Sequence, residues 1–377
     1  MAKHHVLVVD DSIFMRKIIS DMIQEDGRFV VIDTAKNGLE AIDKIKRLKP
    51  DVVTLDIEMP VMNGLEALKR IMSEVPVPVI MLSSLTEIGA KETITALEIG
   101  AVDFVRKPSG SISLDLYKVR ALLHEKLAIA VQTKPVRLPP LPAAPAPAST
   151  WKPPAPETIK KPALAPLTGA GRSPGGEQER IDQVVAIGTS TGGPRALQQV
   201  VTALPANFPA PVLIVQHMPP NFTKSLAQRL DASSQIHVVE AADGDRLRNG
   251  VAYVAPGGWH MIVKRDDLGY KIRLTKEEAR SGHRPSVDML FDSLLPYRGL
   301  KRHAVLMTGM GSDGAKGMLA LKQSGAVSTI AEASETCVVY GMPRAAVELK
   351  GVTHQLPLHG IASKLIELVM KETNSRS

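Results

Sequence analysis

Short apolar runs rich in β-branched residues alternate with amphipathic stretches along the first 127 residues. The runs are predicted strands, and they lie at 6–9, 30–32, 52–55, 77–82 and 102–105. Between them, stretches such as 15–25 and 39–48 carry apolar residues at the three- and four-residue spacing of an amphipathic helix. Strands that alternate with helices in this way predict a parallel sheet with helices on both faces. We therefore predict a first α/β domain at 4–127, built on a doubly wound parallel sheet.

The same alternation returns after residue 180. Predicted strands lie at 184–187, 212–215, 251–254 and 304–307. Predicted helices lie at 195–203, 224–232, 286–295 and 314–324. This pattern predicts a second α/β domain at 181–372, again with a doubly wound parallel sheet. A chain of 377 residues is long enough for two such cores.

The segment between the two domains, 128–180, has a different composition. From residue 131 onward it includes twelve prolines and many alanines, with a glycine-rich stretch near its end. Such a segment buries too little apolar surface to offset the entropy lost on ordering, and its prolines favour extended backbone. We therefore predict a flexible linker. Its seven Lys/Arg against three Glu account for more than half of the net charge of +7.

The position of this charge bears on the partners of the protein. Because most of the excess lies in the linker, the sequence does not predict the basic recognition helix of a DNA-binding domain, and we expect no nucleic-acid partner. No apolar run approaches the roughly 20 residues of a membrane span, so we expect no membrane insertion. The first residues lack the long apolar core of a signal peptide. The single cysteine, Cys337, suits a reducing compartment, and we predict a cytoplasmic protein.

Polar side chains follow four of the five predicted strands of the first domain. They are Asp10 and Asp11 after the first strand, Asp56 after the third, Ser83 after the fourth and Lys107 after the fifth. Because parallel strands end at the same edge of a sheet, we expect these side chains to lie together. Three carboxylates repel one another unless a divalent cation lies among them, and Mg²⁺ prefers such oxygen ligands. A lysine and a hydroxyl nearby would then hold phosphoryl oxygens.

These residues resemble a known family. The sequences D-D at 10–11, D-I-E-M-P-V-M-N-G at 56–64, S-S at 83–84 and K-P at 107–108 are similar to the receiver domain of two-component response regulators. The resemblance implies a flavodoxin-like fold and a phosphoryl group accepted on Asp56 from a histidine kinase. The Mg²⁺ ligands that it implies are Asp11, Asp56 and the backbone carbonyl of Glu58, with Asp10 in support. It also implies that Ser83 and Lys107 contact the phosphoryl group.

In the second domain, a serine lies in a glycine-rich turn after the first predicted strand, within G-T-S-T-G-G from Gly188 to Gly193. The turn lacks the G-x-G-x-x-G spacing of a dinucleotide site, and no acidic residue ends the next strand. It also differs from the G-x-S-x-G nucleophile elbow. A serine in a tight strand-to-helix turn presents its hydroxyl beside a helix N-terminus, which favours developing negative charge. We interpret Ser190 as a candidate nucleophile.

A nucleophilic serine needs a base. His217 is the best placed, because it closely follows the predicted strand at 212–215 and so lies at the same sheet edge as Ser190. His260 and His283 lie in loop-like segments and remain alternatives.

The base in turn needs an acid that orients it. Asp313 follows the predicted strand at 304–307 and is the candidate, with Asp288 as the alternative. Asp288 lies in a predicted amphipathic helix, which makes it less suitable. Backbone amides at 309–311 or beside Ser190 would form an oxyanion hole.

The second domain also resembles a known family. G-T-S-T-G-G, V-Q-H-M-P-P-N-F-T, Y-V-A-P-G, R-P-S-V-D, L-M-T-G-M-G-S-D-G-A-K-G-M and V-V-Y-G-M-P-R-A-A are similar to the catalytic domain of the chemotaxis protein-glutamate methylesterases. The order of receiver, proline-rich linker and esterase matches that family as well. The implied fold is Rossmann-like.

The resemblance implies a serine esterase that removes methyl groups from glutamate γ-methyl esters on methyl-accepting chemoreceptors and deamidates receptor glutamines. The implied phosphodonor is the chemotaxis histidine kinase, and the esterase needs no cofactor. Candidate substrate contacts are Met218, His260, Arg284 and Met310, of which the basic pair would bind acidic groups of the receptor.

We hypothesise that the receiver covers the mouth of the esterase until Asp56 is phosphorylated. Three other functions compete: a DNA-binding response regulator, a scaffold in which Ser190 only caps a helix, and a receiver-regulated esterase for another protein or a small ester. The first needs a recognition helix that the sequence does not predict, and the second leaves His217 and Asp313 unexplained. The third shares every residue discussed above and differs only in substrate.

Overall fold

The computed structural model describes residues 3–84, 86–108, 114–133, 135 and 180–374. The chain divides into two compact units, Met1–Lys152 and Pro153–Ser377. The predicted linker at 128–180 lies for the most part outside the described residues. Among the described residues, no helix is both long and apolar enough to cross a membrane.

The first unit is a five-stranded parallel sheet with helices between successive strands. Its strands are β1 (His4–Val9), β2 (Phe29–Ala35), β3 (Val52–Asp56), β4 (Val79–Ser83) and β5 (Asp103–Arg106). Its helices are α1 (Ile13–Gln24), α2 (Gly38–Leu48), α3 (Gly64–Glu74), α4 (Glu87–Ile99) and α5 (Leu114–Ala130). The strand order β2-β1-β3-β4-β5 is that of flavodoxin-like sheets, so the predicted α/β fold is confirmed. Helix α5 continues three residues past the predicted domain end at 127.

Capping side chains explain where four of these helices begin. Ser12, Asn37, Asn63 and Thr86 each accept a hydrogen bond from the backbone amide three residues later. Such a bond satisfies one of the amides that the first turn of a helix leaves unpaired. The polar residues between strand and helix therefore set the helix starts at the carboxyl edge of the sheet.

The second unit is a seven-stranded parallel sheet with an antiparallel hairpin beside it. The sheet strands are β6 (Gln183–Thr189), β7 (Val212–Gln216), β8 (His237–Glu240), β9 (Val251–Val254), β12 (Lys301–Leu306), β13 (Ser328–Glu332) and β14 (His354–Leu356). The hairpin pairs β10 (His260–Asp266) with β11 (Gly269–Thr275). The helices are α6 (Gly193–Val201), α7 (Phe222–Ser233), α8 (Val287–Ser293), α9 (Ala315–Gln323), α10 (Met342–Glu348) and α11 (Leu358–Asn374).

The strand order of the second sheet creates a site for chemistry at its centre. The strand order is β14-β13-β12-β6-β7-β9-β8. From β6 the chain first adds β7, β8 and β9 on one side of the sheet and later adds β12, β13 and β14 on the other side, so the winding reverses at β6. Open α/β sheets bind ligands in the crevice where the winding reverses. The predicted Rossmann-like parallel fold is confirmed, with the hairpin, β8, β13, β14, α10 and α11 as elements that the sequence did not predict.

Close packing at the end of β6 requires a glycine. A Cβ atom added to Gly188 would lie 2.3 Å from Cγ1 of Val287 and 3.0 Å from Cδ1 of Leu306. Both neighbours are fully buried in the core of this unit. Helix α8 therefore packs directly on the backbone of β6.

We expect Gly188→Ala to lower the free energy of unfolding of the second unit by about 1–3 kcal/mol, because the new methyl group has no space. Urea denaturation followed by far-ultraviolet circular dichroism measures this. Gly299→Ala is the matched control, because a Cβ atom there meets nothing within 4 Å. Equal loss in the two variants would contradict the packing argument.

Candidate active site

The turn after β6 holds Ser190 at the carboxyl edge of the sheet. The Ser190 amide donates to the carbonyl of Thr308 (3.0 Å), and the Gly193 amide donates to the carbonyl of Ser190 (2.8 Å). Gly192 has φ = 79°, a left-handed conformation that glycine adopts without strain. Ser190 is 6% exposed, so the turn is tight and mostly enclosed.

His217 follows β7 and lies beside this turn. Its amide donates to the carbonyl of Thr189 at 3.1 Å, next to Ser190 in the chain. Its ring Nε2 is 2.8 Å from Oδ2 of Asp313. Because Nε2 donates to the carboxylate, Nδ1 is the nitrogen that can take up a proton. That atom is buried and has no hydrogen-bond partner among the described residues.

Asp313 is held by four donors. They are Nε2 of His217 (2.8 Å), the hydroxyl of Ser286 (2.8 Å) and the amides of Val287 (2.7 Å) and Asp288 (3.1 Å). Burial alone would raise the pKa of Asp313, but the hydrogen bond from His217 and those from the amides hold that pKa below its usual value. The carboxylate is therefore ionised at neutral pH and can orient an imidazole and stabilise its protonated form.

Two of the alternatives weighed from the sequence have other partners. Ring Nε2 of His260 donates to the carbonyl of Glu278 (3.0 Å), and ring Nδ1 accepts from the amide of Ser286 (3.2 Å). His260 is fully buried at the start of β10, and its ring fixes the chain before α8, so its contact with a substrate stays a prediction from the sequence alone. Asp288 accepts a hydrogen bond from the amide of Gly317 at 2.7 Å, and burial raises its pKa despite that bond.

His283, the remaining alternative, lies flat against His217. The ring centroids are 3.7 Å apart and the planes differ by 7°. This stacked ring covers one face of His217, whose side chain is only 5% exposed. His283 therefore forms part of the wall of the site.

The other predicted substrate contacts differ in exposure. Met310 is 40% exposed and follows Gly309, where an added Cβ atom would lie 2.7 Å from Cβ of Ser190. Met218 is buried directly after His217. The Arg284 guanidinium is exposed and donates to two backbone carbonyls of the loop before it, those of Lys276 and Glu277. Of the two predicted apolar contacts, Met310 is thus the exposed one.

The structure reduces the set of backbone amides that are candidates for the oxyanion hole. The Gly309 amide donates to the carbonyl of Val339 at 3.0 Å, which removes it from consideration. In the same turn, Met310 and Gly311 remain as candidate donors.

Sequence reasoning missed the buried residues that hold the nucleophile turn. The Thr308 hydroxyl donates to the carbonyl of Thr191 (2.9 Å), and the Thr308 amide donates to Oε2 of Glu332 (2.8 Å). Burial raises the pKa of Glu332, although the Thr308 amide opposes this. Gln216, the residue directly before His217, is a further buried polar side chain at this edge of the sheet. No local sequence signal separates these side chains from ordinary core residues.

The first unit brings its predicted acidic residues together. Carboxylate oxygens of Asp10, Asp11 and Asp56 all lie within 4.8 Å of one another. Lys107 Nζ is 2.9 Å from Oδ2 of Asp10 and 2.8 Å from Oδ2 of Asp56. Burial raises the pKa of Asp56 to about 6, with a further rise from Asp10 and an opposing effect of Lys107. Three clustered carboxylates are the oxygen donors that Mg²⁺ takes, so the residues fit that ion.

Ser83 and Glu58 lie beside this cluster in specific contacts. The Ser83 hydroxyl is buried and lies 2.6 Å from Oγ1 of Thr93 in α4. The Glu58 amide donates to Oδ1 of Asp56 at 3.4 Å. The Ser83 hydroxyl is therefore engaged with α4, and it would have to change partner to reach a phosphoryl group on Asp56.

We expect Asp313→Asn to slow the labelling of Ser190 by a fluorophosphonate probe by about 10³–10⁴-fold, because the neutral amide neither fixes the His217 ring nor stabilises its protonated form. Asp288→Asn is the matched control. Burial, which raises the pKa of Asp288, disfavours a charge at this position, and asparagine keeps an oxygen for the Gly317 amide. Labelling that slowed more in Asp288→Asn than in Asp313→Asn would assign the acid to Asp288 instead.

The chain is similar to known proteins over almost its whole length. Residues 6–116 match the response regulator receiver domain model, and residues 185–365 match the CheB methylesterase model. A Geobacillus kaustophilus protein named protein-glutamate methylesterase/protein-glutamine glutaminase is 52% identical over 370 residues, which covers 97% of this chain and 98% of that protein. A Bacillus subtilis protein of the same name is 48% identical and covers 97% and 99%.

Among solved structures, the Thermotoga maritima CheB methylesterase catalytic domain is 45% identical, with a TM-score of 0.48. The match covers 49% of this chain and 98% of the chain of that solved domain. The extent and identity of the match to the full-length relatives settle the family. The chain belongs to the CheB methylesterase family and carries a response regulator receiver domain.

Proposed function

We propose that this protein hydrolyses glutamate γ-methyl esters on methyl-accepting chemoreceptors, deamidates receptor glutamines, and is activated by phosphorylation of Asp56. The observation that carries the proposal is the 2.8 Å contact between His217 and Asp313 beside the Ser190 turn. Three adjacent strands, β12, β6 and β7, supply these three residues. The relatives named above carry both activities in their names, which supports the substrate class. We place the reaction in the cytoplasm.

Acylation begins with proton transfer from Ser190 to Nδ1 of His217 as Oγ attacks the side-chain carbonyl carbon of the ester. The ester C–O bond then breaks, and methanol leaves with the proton that His217 returns. Asp313 stabilises the protonated ring between these two events. Water next gives a proton to His217 and attacks the carbonyl carbon of the acyl-enzyme. The bond between that carbon and Oγ breaks, His217 returns the proton to Ser190, and glutamate leaves.

The tetrahedral intermediates carry negative charge on the former carbonyl oxygen. Amides of Met310 and Gly311 and of the turn that precedes α6 are the donors that we assign to this charge. The N-terminus of α6 adds a favourable electrostatic field at the same place. No cofactor enters these steps.

Deamidation follows the same sequence with ammonia as the leaving group. An amide nitrogen leaves only when protonated, so this activity depends more strongly on His217 as an acid. For the substrate, we assign Met310 and Met218 to apolar contact and Arg284 to acidic groups of the receptor helix.

The receiver domain controls this reaction through Asp56. We assign Asp11, Asp56 and the backbone carbonyl of Glu58 as the groups that would hold Mg²⁺, with Asp10 in support; a bound ion would supply positive charge next to the phosphoryl group. The Asp56 carboxylate attacks the phosphorus of a phosphohistidine on the chemotaxis histidine kinase, the P–N bond breaks, and the kinase histidine leaves. Lys107 holds a phosphoryl oxygen, and the Ser83 hydroxyl exchanges its contact with Thr93 for a contact with the phosphoryl group. The phosphoryl group adds negative charge and hydrogen-bond acceptors, which shift the equilibrium between two conformations of this edge of the receiver domain.

The test is methanol release from methylated chemoreceptor membranes, with and without a small phosphodonor plus Mg²⁺. We expect release by the wild type to rise with phosphodonor, release by Asp56→Ala to stay at its basal rate, and release by Ser190→Ala to be absent. Ser190→Ala removes the nucleophile, and Asp56→Ala removes the phosphoryl acceptor.

Circular dichroism checks that each variant is folded. If Ser190→Ala kept the wild-type rate, the assignment of the nucleophile would be wrong. If a folded wild type that accepts phosphate on Asp56 released no methanol, the substrate would be another ester.

A further inference from the structure

Gln216 is the last residue of β7, and its side chain is hydrogen-bonded to both Ser190 and His217. Its Nε2 donates to the carbonyl of Ser190 (2.9 Å) and to the carbonyl of His217 (3.2 Å). Its Oε1 accepts from the hydroxyl of Thr189 (2.7 Å), the residue opposite it on β6. Gln216 is only 2% exposed, so water does not replace these bonds.

The orientation of this carboxamide is fixed by its neighbours. A backbone carbonyl can only accept a hydrogen bond, so the group facing the Ser190 and His217 carbonyls must be the NH₂. Both of its hydrogens are used there. The Thr189 hydroxyl donates to the remaining oxygen and so holds the amide in this orientation.

The glycine that starts α6 makes room for this carboxamide. A Cβ atom added to Gly193 would lie 1.9 Å from Oε1 of Gln216. The Gly193 amide also donates to the Ser190 carbonyl, so that carbonyl accepts from two donors. The glycine therefore serves the contact with β7 as well as the turn itself.

We propose that Gln216 is a positioning residue that sets the place of Ser190 relative to His217 by holding both of their carbonyls. The proposal rests on the roles given above to Ser190 as nucleophile and His217 as base. Proton transfer and attack need the hydroxyl and the ring nitrogen at hydrogen-bond distance, and a shift of about 1 Å can cost about 100-fold in rate. Asp313 fixes the His217 ring from one side, and Gln216 fixes its backbone together with that of Ser190.

Gln216→Glu tests this with almost no change in shape. A protonated glutamic acid keeps one donor for the two carbonyls, whereas an ionised one keeps none and sets negative charge against them. We expect kcat for methanol release to fall by about 100-fold at pH 8. The loss should shrink as the pH is lowered and the new carboxyl takes up a proton. A merely structural role would lower the amount of folded protein and leave the pH profile of the folded fraction unchanged.

Gln183→Glu is the matched control. Gln183 begins β6, at the opposite edge of the sheet, and its buried Nε2 also donates to two backbone carbonyls, those of Pro209 (3.3 Å) and Val369 (3.2 Å). We expect this variant to lose stability while its kcat and pH profile stay as in the wild type.

Thr189→Val provides a second variant that should fold. It removes the hydroxyl that holds the Gln216 amide in its orientation, and it keeps the side-chain size. We expect a loss of kcat smaller than that of Gln216→Glu and no new dependence on pH.

Fluorophosphonate labelling of Ser190 accompanies every measurement, with Ser190→Ala as the blank. The labelling rate reports the reactivity of the serine whatever the natural substrate is. If the wild type were labelled but released no methanol, the proposed substrate would be wrong while Gln216 could still be judged by labelling. If folded Gln216→Glu were labelled at the wild-type rate at pH 8, the positioning role would be overturned.

Discussion

The buried carboxylate of Asp313 is the charge on which the catalytic edge of the second unit depends. Moving a carboxylate out of water is costly unless other donors replace the water. His217 and Ser286 supply two such donors, and the first amides of α8 supply the rest. The helix must therefore begin beside Asp313, and it can do so because Gly188 leaves space for Val287 on β6. One electrostatic requirement thus fixes the acid, the base and the position of a helix.

Asp56 lies at the equivalent edge of the other sheet, and its environment has the opposite effect. Burial and the neighbouring Asp10 raise the pKa of Asp56 against the influence of Lys107, whereas donors lower the pKa of Asp313 against burial. The difference lies in what surrounds each carboxylate. Four hydrogen-bond donors of the protein satisfy the carboxylate of Asp313. The cluster around Asp56 has three carboxylates and one lysine, so its balance of charge favours a cation.

The spacing of apolar residues predicted the two parallel sheets and most of the helices that cover them. Because residues that follow parallel strands lie at the same edge of a sheet, the sequence also predicted Ser190, His217 and Asp313 at one edge. It could do so because β12, β6 and β7 are neighbours and run in parallel. The hairpin β10–β11 was missed because its polar and charged residues interrupt the apolar run. His260 was interpreted as a loop residue, since two glycines precede it, yet it starts β10 and is fully buried. Its partners, Glu278 and Ser286, lie 18 and 26 residues further along the chain, and no local pattern indicates them.

The nucleophile turn shows why such distant partners matter. The turn includes the left-handed Gly192, and three strands hold it through buried polar side chains. Thr308 lies after β12, Gln216 ends β7, and Glu332 ends β13 and holds the amide of Thr308. Because each partner is buried, the loss of one leaves another group without a hydrogen bond, so the network acts as a unit. Exposed Met310 is free of this constraint. The rim of the site can therefore vary with the substrate, while the buried polar residues beneath the turn cannot.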